Sequence, residues 1–344
     1  MIEEYDGMDF MARIPPSLFF ALVTMTLCLA SCVSEPNPIP TPFPTPPATP
    51  PATFTVHPDM LPTDSPALDM VKGSFRNQIR ALEENMPREK SQAYIVPTEK
   101  EQADFARLVA MLGNNDLAGA ADLAAENHYR LTYYEDRGDD HALNYLLREN
   151  RPVEKGWGLY AFRVGSTRNI IVEAPHPLYD RRTSSVALDI YRALDARALL
   201  IAGAHRNANR DGSADVAHAP ESIFQTVHET LVQEVNAPSG DLIILQIHGF
   251  HTSKHDGYPQ AVFGFGEKTD PLELALAKRL EEAFAEQKLT LGLCIGEAWR
   301  DLCGRMNIQA ATSHSALFIH IELDEKIRKN DKALIAALLQ VFAE

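Results

Sequence analysis

Three apolar segments of this chain end on side chains that can hold or use a metal ion. The first, residues 169–174, is followed by His176 and, four residues later, by Asp180. The second ends at His248, and the third contains Glu322. Two histidines and one carboxylate form a three-ligand zinc site with an open position for water. The pattern therefore predicts one Zn²⁺ ion held by His176, Asp180 and His248, with Glu322 as the general base that takes a proton from the water.

Each assignment has a structural alternative. A single histidine is more often a hydrogen-bonded structural residue than a metal ligand, and either later histidine of the same loop could replace His248. An unpaired carboxylate inside an apolar strand is costly. Glu322 could therefore form a salt bridge with Arg328 or Arg206 rather than act as a base.

The elements that must position these residues alternate between strands and helices. Helical spacing predicts helices within 67–112, 117–127, 184–194, 220–235 and 271–287, and a last helix ending at Phe342. Apolar or alternating runs predict strands at 128–134, 142–147, 158–164, 169–174, 198–203, 242–247, 290–294 and 317–321. Uninterrupted apolar strands that alternate with helices are typical of a sheet buried on both faces. We therefore predict an α/β fold with a mixed, largely parallel sheet covered by helices on both faces.

These motifs resemble the zinc-dependent amidohydrolases and exopeptidases of the carboxypeptidase-like α/β fold. The N-formylglutamate amidohydrolase and poly-γ-glutamate hydrolase branches are the most similar. The shared features are a strand ending in Pro175-His176, a carboxylate at Asp180, a strand ending in His248-Gly249, and Glu322 near the end of the chain. The resemblance covers roughly residues 168–330, and many relatives have Glu where this chain has Asp180. It implies a metallohydrolase that cleaves a peptide or another amide-containing substrate.

Amide hydrolysis also needs a cationic group that stabilises the oxyanion and holds an acidic end of the substrate. Arg206, which follows a predicted strand, is our candidate, with Asn209 as a polar helper. Arg305 is expected to line the mouth of the cleft. His205 and His218 are expected to contact the metal ligands rather than the ion, and a position on a surface loop is an equal alternative for His218.

The N-terminus predicts export. Residues 1–31 contain an apolar run that is too short to span a bilayer comfortably, and it ends at Cys32 in a Leu-Ala-Ser-Cys sequence that resembles a bacterial lipobox. A secretory signal needs a positive segment before this run. Met11-Ala-Arg13 provides one, so we expect translation to begin at Met11. Lipidated Cys32 would anchor the protein to a bacterial membrane, facing the periplasm or the cell exterior, and a cleaved signal peptide without lipid is the alternative.

Residues 32–66 are rich in proline, which favours an extended polyproline II tether. The remaining residues, 67–344, are predicted to form one catalytic domain with an N-terminal extension of helices and antiparallel strands over 67–165. In an exported protein we expect Cys294 and Cys303 to form a disulfide, with two separate free cysteines as the alternative.

Composition restricts the partners. The chain has 344 residues and a formal net charge of −15, which argues against a general nucleic-acid binder. Besides an amide or peptide hydrolase, two function classes stay open. One is a lipoprotein that binds a ligand or metal without turnover, and the other is a zinc-dependent ester or phosphoester hydrolase.

Overall fold

The computed structural model of the protein describes residues 68–139, 141–235, 241–266, 271–295 and 298–343. The predicted signal peptide, the lipidation site Cys32 and the proline-rich tether lie outside these residues. Within the described ranges, no helix is both long enough and apolar enough to cross a membrane.

A ten-stranded mixed sheet forms the centre of the described chain. Its strands are β1 (Met70–Gly73), β2 (Tyr129–Asp136), β3 (Ala142–Glu149), β4 (Leu159–Arg163), β5 (Ile170–Ala174), β6 (Ala198–Ile201), β7 (Ile243–Gly249), β8 (Ala261–Gly264), β9 (Leu291–Leu293) and β10 (Leu317–Leu323). They are ordered β1-β2-β3-β4-β6-β5-β7-β10-β8-β9. The neighbouring strands β6, β5, β7 and β10 are parallel. Their carboxyl ends therefore meet at one edge of the sheet, where a cleft can form.

Helices cover both faces of this sheet. They are α1 (Phe75–Asn85), α2 (Glu99–Gly113), α3 (Leu117–Glu126), α4 (Thr183–Ala193), α5 (Ile223–Val235), α6 (Pro271–Glu286), α7 (Ile308–Thr312), α8 (Glu325–Lys329) and α9 (Lys332–Phe342). One face packs against α1, α4, α6 and α9. The other face packs against α2, α3 and α5. The α/β class and the mixed sheet covered on both faces are therefore confirmed.

The N-terminal part differs from the prediction in detail. The helical spacing over residues 67–112 is divided into β1, α1 and α2. Proline lacks a backbone N–H and disfavours a helical conformation in the residue before it. Accordingly, α1 stops before Pro87, and α2 begins only after Pro97. Thr98 and Glu101 then cap α2 reciprocally through side chain and backbone.

The strands of the N-terminal extension belong to the same sheet as the rest of the described chain, because β4 pairs antiparallel with β6. Strand β8 was not predicted. It has four residues and lies between β10 and β9 in the sheet. Its apolar run is too short to be separated from the surrounding loop by pattern alone.

Candidate metal centre and active site

Side-chain alternation along three parallel strands brings polar residues to one face of the sheet. Successive side chains of a strand point to opposite faces, so Gln246 and His248 share a face of β7, as do His320 and Glu322 on β10. In register, Gln246 lies between Glu173 of β5 and His320, and His248 lies beside Glu322. The opposite face of the same strands is apolar and packs into the core. The site is therefore built at the carboxyl ends of β5, β7 and β10.

The turn after β5 adds two further residues. The backbone N–H of Asp180 donates to the carbonyl of His176 at 2.8 Å, which holds the two side chains on one turn before α4. His176, Asp180 and His248 are all buried, and one ligand atom from each lies within 4.8 Å of the others. The structure thus brings together the three residues that the sequence predicted as ligands.

The distances in this cluster fit a tetrahedral ion. Asp180 Oδ2 lies 3.4 Å from His176 Nδ1 and 3.3 Å from His248 Nδ1. Ligand atoms bound to zinc at its usual bond lengths are separated from each other by about 3.3 Å. Within the described part of the chain, the buried Nδ1 of His176 has no hydrogen-bond partner. An unpaired buried nitrogen aimed at a carboxylate and a second imidazole is the arrangement that a divalent cation would satisfy.

The second nitrogen of each imidazole is held by an oxygen. His176 Nε2 lies 2.7 Å from Asp215 Oδ1, and His248 Nε2 lies 2.8 Å from the side-chain oxygen of Gln246. Metal-binding histidines commonly donate their other N–H to such an acceptor, which fixes the tautomer and the orientation of the ring. Both contacts leave the Nδ1 lone pair available to a metal ion.

Burial and neighbouring charges shift the pKa values of the cluster. Burial alone would raise the pKa of Asp180, but His176 and His248 hold it well below its usual range. Burial, helped by the nearby His320, lowers the pKa of His248 to about 3. Metal binding requires neutral histidine and ionised carboxylate. The pKa shifts of Asp180 and His248 therefore favour the forms that bind a metal. Burial alone would lower the pKa of His176, but Asp180 and Asp215 raise it, so a metal ion would have to displace a proton there.

Glu322 lies next to this cluster on β10. Burial raises the pKa of its carboxyl group, and His320, whose Nε2 is 3.4 Å from Glu322 Oε1, partly offsets that effect. Among the described residues, Oε2 of Glu322 has no hydrogen-bond partner. His248, His320 and Glu322 form a second group whose possible ligand atoms lie within 4.8 Å of one another. A carboxyl group with a raised pKa and an unpaired oxygen, placed beside the candidate ligands His176, Asp180 and His248, is suited to proton transfer.

A cleft of about 540 Å³ opens over these residues. Its lining includes the predicted residues His176, His248, Glu322, Arg206, His218 and Arg305. Arg206 lies against Asp215, and His218 Nδ1 is 3.2 Å from Asp215 Oδ2. Both residues therefore contact the carboxylate that holds His176 Nε2.

The predicted disulfide is present between Cys294 and Cys303. It closes a loop that contributes Arg300 and Asp301 to the cleft. Gly304, which follows the disulfide and has a φ of +61°, passes so close to His320 that a Cβ atom would lie 2.4 Å from the ring. The disulfide-closed loop and Gly304 therefore form one wall of the cleft, and Gly304 packs directly against His320.

Two predicted residues lie elsewhere. Asn209 is not among the residues that line the cleft, because its amide donates to Tyr94 O at 2.8 Å and to Ser213 Oγ at 2.9 Å. His205 packs against Tyr179, with ring centroids 5.6 Å apart. It lines a separate pocket together with Pro177 and Leu178, which lie in the turn between His176 and Asp180.

Two residues were not predicted: Gln246, whose side-chain oxygen contacts His248, and Glu173, which accepts a hydrogen bond from the Gln246 amide. A period-two pattern was the available signal, since Gln246 lies two residues before His248 on the same apolar strand. Arg328, an alternative partner for Glu322, instead donates to the backbone carbonyls of Leu323 and Phe250.

Comparisons with known proteins returned structural neighbours only, because no protein-family model and no curated protein matches the chain. N-formylglutamate amidohydrolase from Ralstonia eutropha JMP134 is similar with 10% identity and a TM-score of 0.35, over 51% of this chain and 94% of that one. A metallo-carboxypeptidase from Burkholderia cenocepacia is similar with 13% identity and a TM-score of 0.34, over 66% of this chain and 67% of that one. N-acetylmuramoyl-L-alanine amidase from Clostridium difficile 630 has 11% identity and a TM-score of 0.31, over 52% of this chain and 95% of that one.

Proposed function

We propose that this chain is a metal-dependent hydrolase of amide or peptide bonds, with one zinc ion held by His176, Asp180 and His248. The observation that carries the proposal is the position of Asp180 Oδ2, 3.4 Å and 3.3 Å from two imidazole Nδ1 atoms. Both imidazoles are anchored through Nε2, which leaves both Nδ1 lone pairs available beside the same carboxylate oxygen. When bound there, zinc supplies a polarising charge that lowers the pKa of water and activates a carbonyl group.

Glu322 would carry the proton in this reaction. Its carboxylate accepts a proton from the attacking water and returns it to the nitrogen of the leaving amine. The raised pKa of the buried carboxyl group favours this role, because a more basic carboxylate accepts the proton more readily. Glu322 lines the cleft, and His320 Nε2 lies 3.4 Å from its Oε1.

The cleft supports a substrate with an acidic group. Arg206, Arg300 and Arg305 contribute guanidinium groups to its lining, and Arg206 is also paired with Asp215. Guanidinium groups attract a carboxylate through charge and hydrogen bonds. We propose peptides with a free or side-chain carboxylate, with cell-wall and γ-glutamyl peptides as the first to be tested. Residues 1–32 support an exported, lipid-anchored protein, and the disulfide supports the same location because disulfides persist in oxidising compartments.

Metal analysis of the purified protein tests the proposed centre. We expect about one equivalent of zinc in the wild type and loss of the ion in His176→Ala and His248→Ala. His141→Ala is the matched control, since that side chain is 65% exposed and lies in the N-terminal extension. Less than about half an equivalent of zinc in the carefully purified wild type would reject the metal site.

A second variant separates binding from catalysis. Glu322→Gln should retain zinc and lose about 10²-fold or more of the turnover of the amide substrate. Full activity in this variant would reject the general-base assignment. Stoichiometric zinc without turnover of any peptide or amide would instead favour a lipoprotein that binds its ligand, and turnover of esters alone would favour an esterase.

A further inference from the structure

A buried carboxylate that plays no part in the proposed reaction lies beneath the metal centre. Glu173 of β5 and His228 of α5 are both 0% exposed. Glu173 Oε1 lies 2.7 Å from His228 Nδ1, and its Oε2 accepts a hydrogen bond from the Gln246 amide at 3.0 Å. A carboxylate at this depth is tolerated only when hydrogen bonds compensate its desolvation. Glu173 therefore has a fixed set of partners.

The orientation of the Gln246 amide is fixed from two directions. Gln309 donates to the backbone carbonyl of Val216 at 2.8 Å and to Gln225 Oε1 at 2.8 Å. A carbonyl can only accept, so the Gln309 side-chain oxygen must face Gln246, whose amide donates to it at 3.1 Å. The other N–H of the Gln246 amide donates to Glu173, so both amide hydrogens are used. If the amide were flipped, its oxygen would face two acceptors, the oxygens of Glu173 and Gln309, and no hydrogen bond could form to either.

The remaining oxygen of Gln246 determines the tautomer of a proposed ligand. It lies 2.8 Å from His248 Nε2, much closer than the Asn307 amide nitrogen at 3.5 Å, and an oxygen without a hydrogen can only accept from Nε2. His248 therefore carries its proton on Nε2. The Nδ1 lone pair is left facing Asp180 Oδ2 at 3.3 Å.

The side-chain oxygen of Gln246 also affects the tautomer of a second histidine, His320, through Asn307. It also accepts a hydrogen bond from Asn307, whose amide contacts His320 Nδ1 at 3.1 Å as well. Because an amide nitrogen can only donate, His320 accepts at Nδ1 and carries its proton on Nε2. That N–H faces Glu322 Oε1 at 3.4 Å.

We propose that Glu173 is a positioning residue that sets the tautomers of His248 and His320 through the side-chain amides of Gln246 and Asn307. Through Gln246, these hydrogen bonds reach the Nδ1 lone pair of His248, which would bind the metal. Through Asn307 and His320, they reach Glu322, whose carboxylate would act as the base. The inference rests on the proposed function for its purpose, although the proton pattern exists whether or not a metal binds.

The test compares Glu173→Gln with Glu149→Gln in the full chain. Glu149 is a matched control, because it is also a buried glutamate, 3% exposed, whose carboxylate accepts from the backbone N–H groups of residues 154–157 in the N-terminal extension. Long-range ¹⁵N–¹H spectra of labelled imidazoles report which nitrogen is protonated. They are recorded on the chelator-treated protein, and zinc affinity is measured separately by competition with a chelator.

In the wild type and in Glu149→Gln we expect protonation on Nε2 at both His248 and His320. In Glu173→Gln we expect a mixture of tautomers, because a glutamine can donate as well as accept, and a loss of zinc affinity of about 10- to 100-fold. Unchanged tautomers in Glu173→Gln would overturn the inference.

Two further outcomes keep the inference separate from the proposed function. If Glu173→Gln does not fold, the wild-type spectrum still tests the proposed tautomers. A proton on Nδ1 of either His248 or His320 would overturn the inference. If the wild type binds no zinc, the proposed function fails, while the tautomer pattern continues to test the role of Glu173.

Discussion

The guanidinium group of Arg328 occupies the space that any residue other than glycine would need at position 249. A Cβ atom on Gly249 would lie 2.6 Å from Arg328 Cζ and Nε. Arg328 is 7% exposed and donates to the carbonyls of Leu323 at 3.2 Å and Phe250 at 2.9 Å, and also to the carbonyl of Arg181. Gly249→Ala must therefore displace a buried cation from its hydrogen bonds.

The expected cost follows from those bonds. A hydrogen bond from a charged donor contributes about 1.5–3 kcal/mol, so losing one or two of them should lower the free energy of unfolding by about 1.5–6 kcal/mol. The φ of Gly249 is not among the left-handed values in the described chain, so its backbone conformation alone does not exclude alanine. The predicted cost is thus steric and depends on Arg328.

Urea unfolding followed by tryptophan fluorescence measures this cost, and a double-mutant cycle assigns it. In an Arg328→Ala background, Gly249→Ala should cost less than about 0.5 kcal/mol, because the group it would displace is gone. If the effects of the two substitutions on the free energy of unfolding are additive, a steric conflict between a Cβ atom at position 249 and Arg328 does not explain the glycine.

Three other predictions concern the site, a helix and the anchor. Asp215→Asn should weaken zinc binding about 10- to 100-fold in chelator competition, because it replaces the carboxylate that accepts from His176 Nε2. Burial alone would raise the pKa of Glu101, but Lys155 and the helix cap lower it. The stability advantage of the wild type over Glu101→Gln should therefore be full above pH 4.5 and disappear as the pH falls through the lowered pKa, as urea unfolding between pH 7 and pH 3 would measure. Cys32→Ser should move the protein from the membrane to the soluble fraction, and unchanged fractionation would contradict lipidation.

Strand ends were predictable because they depend on local pattern. The apolar runs before His176 and His248 are long enough to indicate buried strands, and polar residues at the carboxyl ends of parallel strands converge on one edge. His176 and Asp180 also lie four residues apart, so a single turn is enough to place them together. The residue types at each strand end are therefore short-range information, whereas His248 joins the other two only through the pairing of β5 with β7.

The hydrogen bonds that hold the proposed ligands in place depend on pairing between segments that are far apart in the sequence. Glu173 and Gln246 meet only because β5 and β7 are neighbours in a particular register, and His228 joins them from a helix. Nothing local distinguishes a buried Glu173 from an exposed one until that register is known. Asn209 illustrates the opposite error, since its position after a strand suggested the cleft while its amide stabilises a loop.

The pairing of β4 with β6 has a practical consequence for shortened forms of the protein. All four residues of β6 are fully buried, and β4 covers one of its two edges. A truncation that begins after Gly165, near the start of the family resemblance, would expose that edge as an unpaired row of backbone donors and acceptors. Such an edge recruits strands from other molecules and promotes aggregation. Expression of the region that carries the candidate site should therefore start before Leu68, so that the N-terminal strands keep this edge of the sheet paired.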